Sequence, residues 1–306
     1  MARVAVVVVT WNSADEIGAC LDALAGCPGD AVEVAVVDNA STDTTRAEVA
    51  ARGIRLIANA GNAGFAAAVN QGVRATSAPL ILLLNPDARV LGGLDVLAAR
   101  FDDPATGAAG GLLLDASGRP QAGFMARNLP TPAALICEVL GINRLWPRNP
   151  VNWHYRCRGL DPMTAALVGQ PAGAFLMFSR DVWQKLGGFD ERFHPVWFED
   201  VDFCARVRTA GLRIWYDPGA VAKHTGAHAI RSLALENRER YWYGSLLEYA
   251  GKHYRSVSFR TVCLAVAAGA AFRAARGIAR GSRKAFAVYS SIAGLALGRF
   301  LSTRGK

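Results

Sequence analysis

The side chains best placed to do chemistry are carboxylates. Asp87 closes Asn85-Pro86-Asp87, which follows the unbroken apolar run Leu80-Ile81-Leu82-Leu83-Leu84. Such a run reads as a strand buried on both faces, and Pro86, with no N–H to offer a ladder, ends it. Asp87 is therefore expected just past the carboxyl end of a central strand, where open α/β sheets bind ligands. An Asp after Pro is also ordinary turn chemistry. Later, Glu199, Asp200 and Asp202 fall within four positions, flanked by Trp197, Phe198 and Phe203. A carboxylate within reach of a hydroxyl can take its proton as general base. Val201, Cys204, Ala205 and Val207 predict a helix beginning near Glu199, and acids at a helix start also simply complement its dipole.

A sheet must position these groups. Val4–Val9, Val32–Val37 and Ile54–Ile57 read as strands. Ser13 and Glu16 have capping-box spacing ahead of a helix carrying Ile17, Cys20, Leu21 and Leu24, which stops before Cys27-Pro28-Gly29. A second helix begins in the stretch Asp38 to Asp43. A third, with Val69, Asn70 and Val73, follows the glycine-rich loop from Asn59 to Phe65. This alternation predicts an α/β fold with a doubly wound, mostly parallel sheet and helices on both faces. Gly107–Leu114, the segment ending at Phe178, and Arg213–Tyr216 read as further strands, with His224 beyond the last. Asp181 can cap a helix ending at Gly187-Gly188. Residues 119–165, rich in Pro, Arg, Trp and Asn, read as a long excursion, and such loops are usually functional or mobile.

Two phosphate-binding devices are excluded. The first strand leads into Thr10-Trp11-Asn12-Ser13 rather than G-x-G-x-x-G, and no G-x-x-x-x-G-K-[ST] occurs. Carboxylates collected at strand ends point instead to a diphosphate bridged by Mg²⁺ or Mn²⁺, which takes one or two carboxylates plus phosphate oxygens. Six scattered cysteines with no C-x-x-C pair argue against zinc and a disulfide framework and fit a reducing compartment. The first apolar run is too short for a signal-peptide core, so a cytoplasmic location is expected.

The motifs Thr10-Trp11-Asn12, Asp38-Asn39-Ala40-Ser41-Thr42-Asp43, Asn62-Ala63-Gly64-Phe65 with Asn70, Asn85-Pro86-Asp87, Gly173-Ala174-Phe175, Gly187-Gly188-Phe189-Asp190, Glu199-Asp200-Val201-Asp202 and His224 stand in one order. That ordered set resembles the family 2 glycosyltransferases of the GT-A fold. It looks most like the branch holding rhamnosyltransferases of cell-wall and O-antigen assembly. The resemblance implies a catalytic domain over residues 1–255, with 1–115 taking the nucleotide-sugar donor and 116–255 the acceptor. It places Thr10, Asn12, Asp38, Ser41, Asp43, Asn62, Asn70 and Asn85 around the nucleotide, Asp38 accepting from the pyrimidine N–H. Ser41 also reads as a helix cap, and Asn62 as a left-handed turn. Asn85-Pro86-Asp87 stands where the family carries D-x-D. Asn85 brings no charge, so Asp87 is the better metal ligand and His224 a second metal or diphosphate contact. Gly173 and Ala174 would floor the sugar site. Asp200 would be the base of an inverting transfer, with Glu199 and Asp202 tuning it or binding acceptor hydroxyls.

The net charge of +9 is concentrated at one end: residues 249–306 hold eleven Lys and Arg and no Asp or Glu. Within them the apolar stretches Val262–Phe272 and Ala285–Gly298 each fall short of the roughly 20 residues that span a bilayer. Residues 256–306 therefore read as basic amphipathic helices on an anionic membrane, a nucleic-acid tail being less apolar. The expected partners are a nucleotide-diphosphate sugar, a polyprenyl-diphosphate-linked saccharide and the inner face of the cell membrane. Nucleic acid is not expected, and there is room for a homodimer. The activity expected is metal-dependent, inverting transfer of a sugar, such as L-rhamnose from dTDP-rhamnose. The alternatives are a nucleotidyltransferase and a nucleotide-sugar-binding protein without turnover.

Overall fold

The computed structural model describes residues 3–26, 32–226 and 233–302. The chain divides into two compact units: Met1–Leu129 with Arg156–Pro195 and Glu199–Ser232, and Pro130–Tyr155 with Val196–Phe198 and Leu233–Lys306.

The first unit is built on a nine-stranded sheet. Its strands are β1 Val4–Thr10, β2 Glu33–Asp38, β3 Arg55–Ala58, β4 Leu80–Leu84, β5 Ala88–Gly92, β6 Thr106–Leu114, β8 Ala166–Leu167, β10 Phe175–Ser179 and β11 Arg213–His224. The short strands β7 Ala126–Arg127 and β9 Gln170–Pro171 pair separately. The order is β3-β2-β1-β4-β10-β6-β11-β5, with β8 against β11. β1, β2, β3 and β4 are parallel, as the alternation of strand and helix predicts. Beyond β4 the sheet is mixed, because β10 runs antiparallel to both β4 and β6.

Helices α1 Ala14–Ala25, α2 Thr45–Ala50, α3 Phe65–Arg74, α4 Leu94–Ala99, α8 Arg180–Lys185 and α9 Glu199–Thr209 also belong to this unit. Every residue of β1 and β4 is buried, so both strands are covered on both faces. Each buried leucine of β4 contributes about 1.5–3 kcal/mol relative to exposure, which anchors the turn at Asn85-Pro86-Asp87. Gly72 lets α3 lie close on the sheet, since a Cβ there would meet the Val7 side chain at 2.4 Å.

Two local expectations change. Ser13 makes no side-chain cap on α1; Asp43 does the work, its Oδ2 accepting from Ala14 N at 3.1 Å. The last strand runs past Tyr216 to end on His224, with a bulge between Asp217 and Val221.

The second unit holds α5 Pro132–Val139, α6 Ile142–Leu145, α7 Pro150–Tyr155, α10 Leu235–His253, α11 Ser256–Ala279 and α12 Arg283–Ser302. Part of the 119–165 excursion is thus helical. Tyr254 Oη donates to Pro130 O at 2.5 Å, and Arg273 Nη1 to Val139 O at 2.6 Å. The apolar stretches of the tail prove to be cores of longer helices: α11 and α12, with 24 and 20 residues, are long and apolar enough to cross a membrane by length and composition.

Candidate active site

Three groups of side chains meet at the carboxyl ends of the parallel strands. The first lies between β1 and β2. Their register sets Thr10 beside Asp38. Asp38 is fully buried, and four donors reach it: Thr10 Oγ1 at 3.0 Å, Ser41 N at 3.0 Å, Arg46 Nε at 2.6 Å and the Ser41 hydroxyl. Burial pushes its pKa up, but the bonds from Ser41, Arg46 and Thr10 outweigh that and hold it below the usual value. Two of the four donors are hydroxyls. Either can rotate away, so the carboxylate can still accept an N–H from a ligand. Asn12, at φ 50°, ties the neighbouring loops: its N donates to Ser41 Oγ at 2.8 Å and its Oδ1 accepts from Thr42 N at 2.8 Å. Ser41 thus caps no helix; it bridges Asn12 and Asp38.

The second group is set by β5 and β11. Their antiparallel register pairs Ala88 with His224, which brings the preceding residue, Asp87, against the His224 ring. Both are buried, with Asp87 Oδ1 3.4 Å from His224 Nε2. Burial raises the Asp87 pKa; His224 and the backbone N–H groups of Asp87 and Gly226 lower it further than burial raises it. Apart from this 3.4 Å approach to Asp87, His224 Nε2 has no partner. A buried nitrogen facing a carboxylate oxygen at this spacing fits two ligands of one divalent cation. No cluster of three or more His, Cys, Asp or Glu suited to a metal occurs among the described residues, so substrate phosphates would complete the coordination. Nearby Cys20 is no nucleophile: burial, then the Asp87 charge, pushes its thiol up to about 12.

The third group is joined to the second through β10. Asn85 N donates to Ala174 O at 3.1 Å, and Gly173 N donates to Asp200 Oδ2 at 3.1 Å. A Cβ on Gly173 would sit 2.8 Å from that oxygen, so only glycine admits the contact. Asp200 Oδ1 accepts from Val201 N at 2.8 Å. Burial raises the Asp200 pKa, and the two N–H groups and the Arg127 charge only partly offset it. The result is a stronger base than an ordinary aspartate. Glu199 is 5% exposed with Oε2 unpartnered, and burial, then Asp200, pushes its pKa well up. Trp197 and Phe198, just ahead of these acids, hold φ of 80° and 69°, a conformation bulky side chains rarely adopt.

Four of the expected site residues have their side chains engaged within the fold. Asn70 is buried with its amide fully used: Nδ2 donates to Phe189 O and Glu191 Oε1, each at 2.9 Å, while Oδ1 accepts from Phe189 N at 2.9 Å and Trp183 Nε1 at 3.0 Å. It braces the 183–191 segment and has no capacity left for a nucleotide. Asp202, fully buried, pairs with Arg206 at 2.8 Å within α9. Asp43 caps α1 and receives Thr45 N at 3.0 Å, which makes it a local brace. Asn62 is exposed and folds back on Gly64 N at 2.9 Å without adopting a positive φ.

Arg46, Gln121, Phe124 and Arg127 escaped the sequence reading. Gln121 Nε2 donates to His224 O at 2.7 Å, and Phe124 stacks on the His224 ring with centroids 5.3 Å apart. The only signal for the last three was their place in the excursion after residue 118.

The sequence model of Glycosyl transferase family 2 matches residues 5–186, more than half of the chain. The N-acetylglucosaminyl-diphospho-decaprenol L-rhamnosyltransferase of Mycobacterium tuberculosis is 33% identical over 242 residues, 73% of this chain and 76% of that protein. Among solved structures, S. aureus TarS 1–349 with UDP-GlcNAc superposes with a TM-score of 0.57 at 16% identity, over 98% of this chain and 81% of that one. The Pyrobaculum calidifontis mannosyltransferase with GDP-Man and Mn²⁺ gives 0.52 at 19%, over 99% and 88%. These two likenesses speak for the GT-A sheet. The family match and the bacterial relative go further, and with them the chain belongs to glycosyl transferase family 2 and is a glycosyltransferase.

Proposed function

We propose that the enzyme moves L-rhamnose, with inversion, from dTDP-rhamnose to a polyprenyl-diphosphate-linked saccharide at the cytoplasmic face of the cell membrane, in the presence of Mg²⁺ or Mn²⁺. The observation that supports this reading is a run of contacts, Gly173 N to Asp200, Asn85 N to Ala174 O and His224 to Asp87, with the Asp200 carboxyl raised by burial. The identity of the sugar and the lipid carrier rest on the name of the mycobacterial relative. Family membership sets the nucleotidyltransferase alternative aside.

The chemistry follows from these roles. Asp38, Thr10, Ser41 and Asn12 take the base and Asn85 the ribose, while Gly173 and Ala174 leave room for the sugar. Asp87 and His224 would hold the cation, which neutralises charge on the departing diphosphate. Asp200 accepts the acceptor hydroxyl's proton as that oxygen bonds the anomeric carbon. The bond to the diphosphate breaks on the opposite face, and its electron pair leaves with the nucleotide.

Residues 1–255 would do this work, and 256–306 would hold it at the membrane. The charge-free stretches between Arg260 and Arg273 and between Lys284 and Arg299 extend only about 18–21 Å as helix, against about 30 Å of hydrocarbon. Helices lying in the interface, their arginines on anionic headgroups, fit that length better than spans.

The test is nucleoside-diphosphate release from dTDP-, UDP- and GDP-sugars with Mg²⁺ or Mn²⁺ and a lipid extract, for wild type and Asp200→Asn. Lipid-dependent release from dTDP-rhamnose, lost in the variant, is expected. Donor binding without release from any sugar would instead favour a binding protein.

A further inference from the structure

Gln121 has no part in the roles above, yet its side chain grips His224 at two points. Nε2 donates to the His224 main-chain oxygen at 2.7 Å, and Oε1 lies 3.1 Å from the ring Nδ1. A carbonyl oxygen can only accept, so the amide nitrogen must face it. The reverse orientation would set oxygen against oxygen. That choice fixes the other end of the amide: Oε1 meets Nδ1, and since Oε1 only accepts, Nδ1 must carry the proton.

Gln121 is itself held. Its N donates to Leu113 O at 2.8 Å, and its O accepts from Phe124 N at 2.9 Å and Met125 N at 3.1 Å. Phe124 lies parallel to the His224 ring within 2°, which restrains the tilt of the imidazole. We propose that Gln121 is a positioning residue that locks His224 in its Nδ1–H tautomer, so that the Nε2 lone pair faces Asp87 Oδ1. A histidine that binds a metal commonly donates its other N–H to an oxygen that fixes ring and tautomer. The consequence for cation binding rests on the metal reading above; the tautomer itself does not.

The test has two readouts on wild type, Gln121→Leu and Gln121→Glu. Long-range ¹H–¹⁵N NMR of the metal-free protein, recorded across a pH series, reports which ring nitrogen of His224 holds the proton. Mn²⁺ binding with a nucleoside diphosphate present is followed by EPR. The wild-type ring should be protonated at Nδ1. Gln121→Leu should release the proton to Nε2 and weaken Mn²⁺ by about 10–100-fold. Gln121→Glu keeps an acceptor for Nδ1 but sets an oxygen against the His224 carbonyl, so it should preserve the tautomer and recover only part of the affinity. A wild-type proton on Nε2, or an unchanged tautomer in a folded Gln121→Leu protein, would overturn the assignment. If the tautomer responds as expected but wild type binds no Mn²⁺, the metal reading fails and the role of Gln121 stands.

Discussion

The cluster around Asp38 and the groups around Asp87 and Asp200 are built on opposite principles. At Asp38 every lone pair has a donor and the carboxyl is held ionised. Around Asp87 and Asp200, His224 Nε2 and Glu199 Oε2 are buried without hydrogen-bond partners, and Asp200 is held above its usual pKa. A satisfied network holds its carboxylate charged and in place, and its hydroxyl donors can yield to a ligand N–H. Unsatisfied buried groups cost stability and are tolerated where a cation, a phosphate or a proton in transit completes them.

That contrast can be broken by substitution. The largest effect is expected from Asp200→Asn, which should lower kcat by about 10²–10⁴-fold while nucleotide-sugar binding, followed by calorimetry, holds. Next, Asp87→Asn should weaken Mn²⁺ at least about tenfold, each tenfold being about 1.4 kcal/mol. EPR titration would show it, and equal affinity in the variant would remove Asp87 from the site. Asn70→Ala tests the bracing role. Losing four buried hydrogen bonds should cost about 2–4 kcal/mol of stability, visible as a lowered Tm, with the KM for donor unchanged in the folded fraction.

Glu199→Gln gives the smallest change, and its sign depends on pH. Because the folded pKa lies above the unfolded one, the native state binds the extra proton, and wild-type stability falls as pH rises from the unfolded pKa toward the folded one. The variant has no such proton. Denaturant midpoints should converge in acid and separate toward alkaline pH, with the variant the more stable.

The sheet was legible because β1 and β4 are apolar runs and β2 carries one over residues 34–37, each near turn residues, and Asp87, Asp38 and Asp200 fall at their ends or at a helix start. Asn70 misled because a buried amide beside a glycine-rich loop looks alike whether it binds a ligand or a distant backbone; its partners are more than a hundred residues away. Asp202 lies two residues from Asp200 and on another face of α9, a distinction set by which side packs inward. Gln121 and Arg127 could not be found by spacing, because Gln121 reaches His224 through Leu113 and the β6–β11 register, and Arg127 is placed by the β7–β9 pairing.

The most direct test of the Asp200 base is the pH dependence of kcat/KM for wild type and Arg127→Met. Arg127 lowers the Asp200 pKa against a larger effect of burial. The wild-type acid limb should therefore inflect above an ordinary aspartate, and removing the guanidinium should move that inflection further up. An acid limb that ignores Arg127→Met, or that survives unchanged in Asp200→Asn, would mean that Asp200 is not the base.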